Sequence, residues 1–136
     1  MWWFGKAGKT EVWNEKIEWP IGDIEAVHTI RKICRAAADS AERVGAFADI
    51  PAGKRKKSEV RRNERDTERY QRAAKAAMVI AMKVSDDLLR DAAVRQIVEL
   101  CLAANDVRTA EVLFRAVQAP SIRQAVLTKY PSLQVD

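Results

Sequence analysis

Residues 85–104, which read SDDLLRDAAVRQIVELCLAA, decide the fold. Ser85 and Asp86 can cap a helix, and Asp86 and Asp87 put acidic groups where the positive end of the helix dipole lies. Apolar residues then recur at helical spacing: Leu88, Leu89, Ala92, Val94, Ile97, Val98, Cys101 and Leu102. The stretch therefore predicts a helix that is the most apolar element of the chain.

Two further helices are predicted upstream. Asp23 can cap a helix whose apolar residues recur at helical spacing as far as Phe47. Ser58 can cap a long second helix that ends near Val84, with a charged first half and an apolar, alanine-rich second half. We expect a loop between them, because Pro51 disfavours helix at the residue before it.

Two shorter helices are predicted downstream. Asn105 or Asp106 can cap a fourth helix that runs to Gln118, and Pro120 can open a fifth that closes at Tyr130. No stretch alternates in hydrophobicity for long enough to form a strand. The sequence therefore predicts an all-α protein, an antiparallel helical bundle of about four main helices plus a short C-terminal helix. Six side chains should be largely buried in its core: Met78, Ile97, Val98, Cys101, Leu113 and Phe114.

The C-terminal part has the texture of a repeat-like helical hairpin. Ala110 stands four residues before Phe114 on the fourth predicted helix. This spacing of a small and an aromatic residue resembles the second helix of a tetratricopeptide-type hairpin, over about a quarter of the chain at most. Val98 and Cys101 stand near the places where that family has a glycine and an aromatic residue on its first helix. The resemblance implies a helical hairpin and no more.

Residues 1–20 are predicted to form an aromatic N-terminal arm before a single helical domain over residues 21–136. The arm contains all four tryptophans of the chain. Burying a large aromatic side chain contributes up to about 3 kcal/mol, so we expect the arm to pack across the helices. The alternative is a partner interface, formed by Trp2, Trp3, Phe4 and Trp13.

The net charge of +5 is concentrated in one segment. Residues 54–72 contain nine basic and four acidic side chains, and nine minus four is five. Basic side chains of this kind bind phosphates, so the segment predicts contacts with anions or nucleic acid. The interleaved acids favour the other interpretation, a solvated helix face with ion pairs three and four residues apart, such as Arg62 with Asp66. The predicted contact residues are Lys54, Arg55, Lys56, Lys57, Arg61, Arg62, Arg65 and Arg69.

Catalytic and metal-binding groups are sparse. His28 is the only histidine, and the two cysteines, Cys34 and Cys101, have no second cysteine at a ligand-like spacing. His28 and Cys34 face about 120° apart on one helix, which leaves tertiary packing with Cys101 as the remaining way to form a dyad. Residues 5–10, GKAGKT, resemble the end of a phosphate-binding loop, but Trp3 stands where the pattern requires its first glycine. We therefore expect no enzyme activity, cofactor or metal.

The sequence favours a cytoplasmic protein that binds other proteins. Both cysteines lie among alanines and branched aliphatic residues, as small core residues do in a reducing compartment. The N-terminal apolar residues precede the basic ones, which reverses the order of a secretory signal. By elimination we expect a non-enzymatic protein-binding helical domain, an adaptor, scaffold or accessory subunit that binds a protein partner or associates with itself. The alternative is a nucleic-acid-binding accessory protein that uses residues 54–72.

Overall fold

Five α-helices form the bundle. A computed structural model describes residues 11–133, and within them no strand occurs. The elements are α1 (Asp23–Ala48), α2 (Lys57–Ala81), α3 (Asp87–Ala103), α4 (Val107–Phe114) and α5 (Pro120–Lys129), with single 3-10 turns at Val12–Asn14, Ala52–Lys54 and Pro131–Leu133. The predicted all-α bundle of four main helices and a short C-terminal helix is confirmed.

Helices α1, α2 and α3 form the centre, and each runs antiparallel to the next. The start of α1 lies at the end of α2, since the Asp23 carboxylate accepts hydrogen bonds from the backbone N–H groups of Ser85 and Asp86 at 2.9 Å each. The end of α1 lies beside the end of α3, where Gly45 approaches the backbone of Ala103. Helix α1 therefore runs parallel to α3, and α4 packs against α3.

The core between these helices is built from branched aliphatic residues and many alanines. Its largest fully buried side chains include Phe114, Ile30, Ile33, Ile80 and Ile97. Small residues let helix backbones approach closely, which brings more dispersion contacts per turn. Other buried members are alanines at positions 26, 37, 41, 73, 77, 81, 93, 104 and 110.

Two of the six predicted core residues are only half-buried. Met78 and Leu113 pack against the core from its edge, whereas the other four are buried as predicted. Both lie at the margin of their apolar stripes, and α4 ends at Phe114 rather than at the predicted Gln118. Burial is therefore complete for four of the six side chains and partial for Met78 and Leu113.

Three carboxylates bind backbone N–H groups at helix ends in ways that the sequence did not predict. Gly22, and not Asp23, is the N-cap of α1, because the Asp23 side chain is used by the α2–α3 turn. Glu59 accepts a hydrogen bond from the backbone N–H of Lys56 at 3.0 Å, so α2 begins at Lys57 without Ser58 as its cap. Asp91 is buried and accepts two backbone N–H groups at the start of α5, at 2.9 and 2.8 Å.

The caps of α3 and α4 are as predicted. Asp86 accepts a hydrogen bond from the N–H of Leu89 at 2.9 Å, and Asp106 accepts one from the N–H of Thr109 at 3.3 Å. Asn105 between the two helices has a φ of 60°, a left-handed conformation that asparagine tolerates. Helices α3 and α4 thus form a hairpin with the predicted turn.

Candidate functional site

The basic segment occupies the α1–α2 loop and the first half of α2. Three of its arginines contact the protein itself: Arg55, Arg69 and Arg72, the last in an ion pair with Glu68 at 3.5 Å. The Arg55 guanidinium donates to the carbonyl of Ile50 at 2.9 Å and lies 4.5 Å from the ring centre of Phe47. The other side chains that we predicted as anion contacts, apart from Arg69, are exposed and have no ion pair within residues 11–133: Lys54, Lys56, Lys57, Arg61, Arg62 and Arg65.

Arg69 and Trp13 join the described part of the arm to the bundle. Arg69 donates to Glu11 at 2.6 Å and to the hydroxyl of Ser40 at 2.8 Å. Its guanidinium also lies 4.9 Å from the ring centre of Trp13, which is half-buried against the core. Both side chains were predicted as binding residues, and both have intramolecular contacts in the structure. The remaining predicted arm residues, Trp2, Trp3 and Phe4, lie outside the described residues.

The acidic residues of the segment are arranged unequally. Asp66 is buried and accepts two hydrogen bonds from Arg43, at 2.9 Å each, so the predicted pair of Asp66 with Arg62 does not form. The Arg43 guanidinium also holds the pKa of Asp66 below its usual value. With Glu59 used as a cap, only Glu64 and Glu68 are exposed among the bases. The outer face is therefore more cationic than the sequence pattern indicated.

A second surface lies at the other end of α2. Residues 19–21 run alongside α2 and leave a groove of about 570 Å³, lined by Trp19, Pro20, Ile21, Val79 and Lys83. We call this the Trp19 groove. Its side chains are unusually open for apolar residues, since Trp19 is 46% and Val79 is 53% exposed. Met82, three residues beyond Val79, is 71% exposed.

The sequence analysis missed the Trp19 groove, although one signal was present. Val79 and Met82 both fall off the buried stripe of α2, on the side that is charged in the first half of the helix. Apolar residues on the polar face of an amphipathic helix mark a surface that the fold does not require. Nothing in the sequence indicated that Trp19 and Ile21 would lie beside Val79.

The nucleophilic groups do not form a catalytic arrangement within residues 11–133. His28 is exposed on α1, whereas Cys101 is fully buried beside Tyr70, so the remaining dyad is not brought together. Burial raises the pKa of Cys34 to about 12 and that of Cys101 to about 11. Both thiols are free and protonated at neutral pH, which makes them poor nucleophiles. In the same range of residues no cluster of three or more histidine, cysteine or acidic side chains could hold a metal ion.

Comparisons with known proteins supply no relative. The chain matches no protein-family model, no curated protein and no solved structure. The resemblance of the C-terminal hairpin to the tetratricopeptide type is therefore not supported by any match. Within the described part of the chain, no helix combines the length and apolar character needed to cross a bilayer.

Proposed function

We propose that this chain is a non-enzymatic protein-binding helical domain and that its partner binds in the Trp19 groove. The observation that carries the proposal is the groove itself, where Trp19, Ile21 and Val79 line one concavity beside the exposed Met82. An adaptor, a scaffold and an accessory subunit all act in this way.

The fold does not account for the apolar character of these residues. A polar side chain at Val79 or Met82 would cost the fold little, because both side chains are more than half exposed. Single exposed apolar residues are ordinary, but a cluster around an exposed tryptophan is typical of interfaces, where tryptophan is enriched among the residues that dominate binding energy. We infer that these residues are kept apolar for a partner.

The remaining chemistry is consistent with binding rather than catalysis. Among the described residues the buried thiols have no activating base, and His28, the one histidine of the sequence, is exposed on α1. Free, buried cysteines also suit a reducing compartment, which supports the proposed cytoplasmic location. Self-association through the Trp19 groove is the alternative to a separate partner, and sedimentation velocity distinguishes the two.

A matched pair of substitutions tests the proposal. Val79→Gln changes the Trp19 groove, while Val112→Gln makes the same change on α4 at a side chain that is 57% exposed. The tagged parent and both variants are purified from cells of the source organism under mild conditions. We expect a co-purifying protein that the Val112→Gln variant keeps and the Val79→Gln variant loses. Equal retention by both variants, or no co-purifying protein and no self-association of the parent, would contradict the proposal.

The exposed bases support a second candidate function, nucleic-acid binding. Lys56 and Lys57 stand at the N-terminus of α2, where the helix dipole is already positive, so their charges disfavour the helix by a few tenths of a kcal/mol or more. Together with Lys54 and Arg61 they attract anions to this end of α2. A phosphate bound at this end of α2 would compensate for the unfavourable charges of these lysines.

Salt dependence tests this second candidate. A face that neutralises four or five phosphates of duplex DNA should give a slope of about −4 when the logarithm of the affinity is plotted against the logarithm of the salt concentration. Changing Lys54, Lys56, Lys57 and Arg61 together to glutamine should then abolish retention on DNA. The control changes four exposed arginines elsewhere to glutamine, with the same loss of charge: Arg31, Arg35, Arg108 and Arg115. Equal weakening by both sets would show that only net charge matters.

A further inference from the structure

The rim of the Trp19 groove is cationic. Lys83 lines the groove, and Lys75 stands one turn before Val79 on the same face of α2. Both amines are exposed, and neither lies within 4.0 Å of a carboxylate in residues 11–133. From residue 69 to residue 85 the sequence contains no acidic side chain. The apolar groove is thus bracketed by two positive charges that no described residue neutralises.

The neighbouring groove shows that this polarity is local. On the other side of Trp19 and Pro20, toward α1, a concavity of about 560 Å³ is lined by three glutamates and two lysines: Glu15, Glu18, Glu25, Lys16 and Lys32. Lys32 and Glu15 form an ion pair there at 3.8 Å. With three glutamates and two lysines, the α1 side has a net charge of −1, whereas the charged side chain that lines the Trp19 groove is Lys83, which has no carboxylate partner within residues 11–133.

We propose that the Trp19 groove binds an acidic amphipathic helix of a partner protein, an inference that rests on the proposed function. Lys75 and Lys83 are eight residues apart on α2, which is roughly 12 Å along the axis. A partner helix lying along α2 matches this distance with carboxylates seven or eight residues apart. Its apolar side chains at the intervening third and fourth positions then enter the groove beside Trp19 and Val79.

The shape of the site favours a helix over an anionic membrane or a nucleic acid. An apolar concavity accepts an inserted side chain, whereas a membrane surface is met by protruding apolar residues on a helix that lies in the interface. Nucleic acid requires a longer row of bases than Lys75 and Lys83 provide, and that row lies at the opposite end of α2. The apolar contacts supply most of the affinity, and the two charges select the sign of the partner and speed its association.

Two synthetic peptides test the sign of the partner. The first is a helix of about four turns with leucines along one face and glutamates beside them, and the second has every glutamate replaced by lysine. Binding to the full-length protein is measured by fluorescence anisotropy. We expect the glutamate peptide to bind at least about tenfold more tightly than its lysine twin, since like charges at an interface are strongly disfavoured. Lys75→Glu with Lys83→Glu should reverse that preference.

Control variants separate local charge from net charge and from loss of the groove. Arg108→Glu with Arg115→Glu makes the same change of charge at α4, outside both candidate sites, and should leave the preference intact. Trp19→Ala should weaken binding of the glutamate peptide about tenfold or more, because a central tryptophan commonly contributes much of the binding energy of an interface. The charge variants should show unchanged thermal unfolding, since the substituted side chains are exposed, and Trp19→Ala is checked for the same helix content as the parent by circular dichroism.

Several results would overturn the inference. Equal binding of the two peptides, or a preference that ignores the two groove lysines, would show that the partner is not selected by acidity. If the protein sediments with phosphatidylglycerol vesicles in a way that depends on Lys75 and Lys83, and binds neither peptide, the partner is a membrane surface and not a helix. A dimer that dissociates on Lys83→Glu would replace it by a second copy. If a cellular partner captured through Val79 is kept by the double lysine variant, the acidic partner is wrong while protein binding stands.

Discussion

Gly45 provides a stringent test of the packing between α1 and α3. A Cβ atom at this position would overlap the carbonyl oxygen of Ala103 and lie 3.3 Å from its carbonyl carbon. Both are backbone atoms of α3, so no side-chain rotation can relieve the overlap. The two helices would have to move apart at this contact.

The expected change in the free energy of unfolding for Gly45→Ala is the sum of two opposing effects. Alanine is favoured over glycine inside a helix by about 1 kcal/mol, which would stabilise the protein if nothing else changed. Overpacking typically costs about 1 to 3 kcal/mol, and a backbone contact belongs at the upper end of that range. Separation also loosens the contacts of Cys34 and Ala41, which are buried on α1. We therefore expect a net loss of roughly 2 kcal/mol in the free energy of unfolding.

Equilibrium unfolding in urea, followed by circular dichroism, measures this loss. Gly53→Ala is the matched control, because a Cβ at Gly53 meets no atom within 4 Å. That variant should be unchanged or more stable by up to about 1 kcal/mol, through lower entropy of the unfolded chain. A Gly45→Ala protein as stable as the Gly53→Ala variant would refute the close approach of α1 and α3.

Three further predictions concern single side chains, each measured by urea unfolding. Asp91→Ala should lower the free energy of unfolding by roughly 2 to 4 kcal/mol, because it leaves two backbone N–H groups without their acceptor. Asp91→Asn should cost less, and an alanine variant as stable as the parent would disprove this role. Phe114→Ala should cost about 3 to 5 kcal/mol against about 0.5 or less for Val112→Ala on the same helix. Arg43 lowers the pKa of Asp66 in the folded state. The ion pair therefore stabilises the fold fully above the unfolded pKa of about 4, and this stabilisation is lost as pH falls through the folded pKa. Asp66→Asn should therefore lower stability at neutral pH and flatten its decline below about pH 4, and identical slopes would contradict the assignment.

Local patterns were sufficient to predict the helices. The apolar spacing in residues 85–104 corresponds to α3, and its cap at Asp86 forms as expected. Asn105 and Pro120 also marked the end of α3 and the start of α5, although α4 ends at Phe114, before the predicted Gln118. These features depend on residues within one or two turns of each other, which is the range over which a sequence pattern carries information.

Features that join distant parts of the chain were not predictable in the same way. Asp23 has the spacing of a helix cap, but its carboxylate binds backbone groups 62 and 63 residues away. Asp66 likewise has partners at helical spacing within α2, yet it pairs with Arg43 on α1, where a bidentate and partly buried arrangement is stronger. Tertiary packing determines whether a side chain pairs with a residue of its own helix or with one from another helix. The spacing of residues in the sequence does not reveal that packing.

The candidate site shows the same division. The cationic end of α2 was visible as a run of bases, although the burial of Asp66 and the engagement of Arg69 were not. The Trp19 groove requires the chain at residues 19–21 to lie against Val79, a contact across about half the chain. Only the misplaced apolar residues on α2 pointed to it beforehand.

Photo-crosslinking from the Trp19 groove in living cells tests the central claim most directly. A photoreactive phenylalanine analogue replaces Met82 in one variant and the comparably exposed Val112 in the other. Binding in the groove predicts a discrete crosslinked product with one protein from position 82, lost when Trp19→Ala is added, and no such product from position 112. The same products from both positions, or none from position 82, would contradict the claim that this groove binds a protein partner.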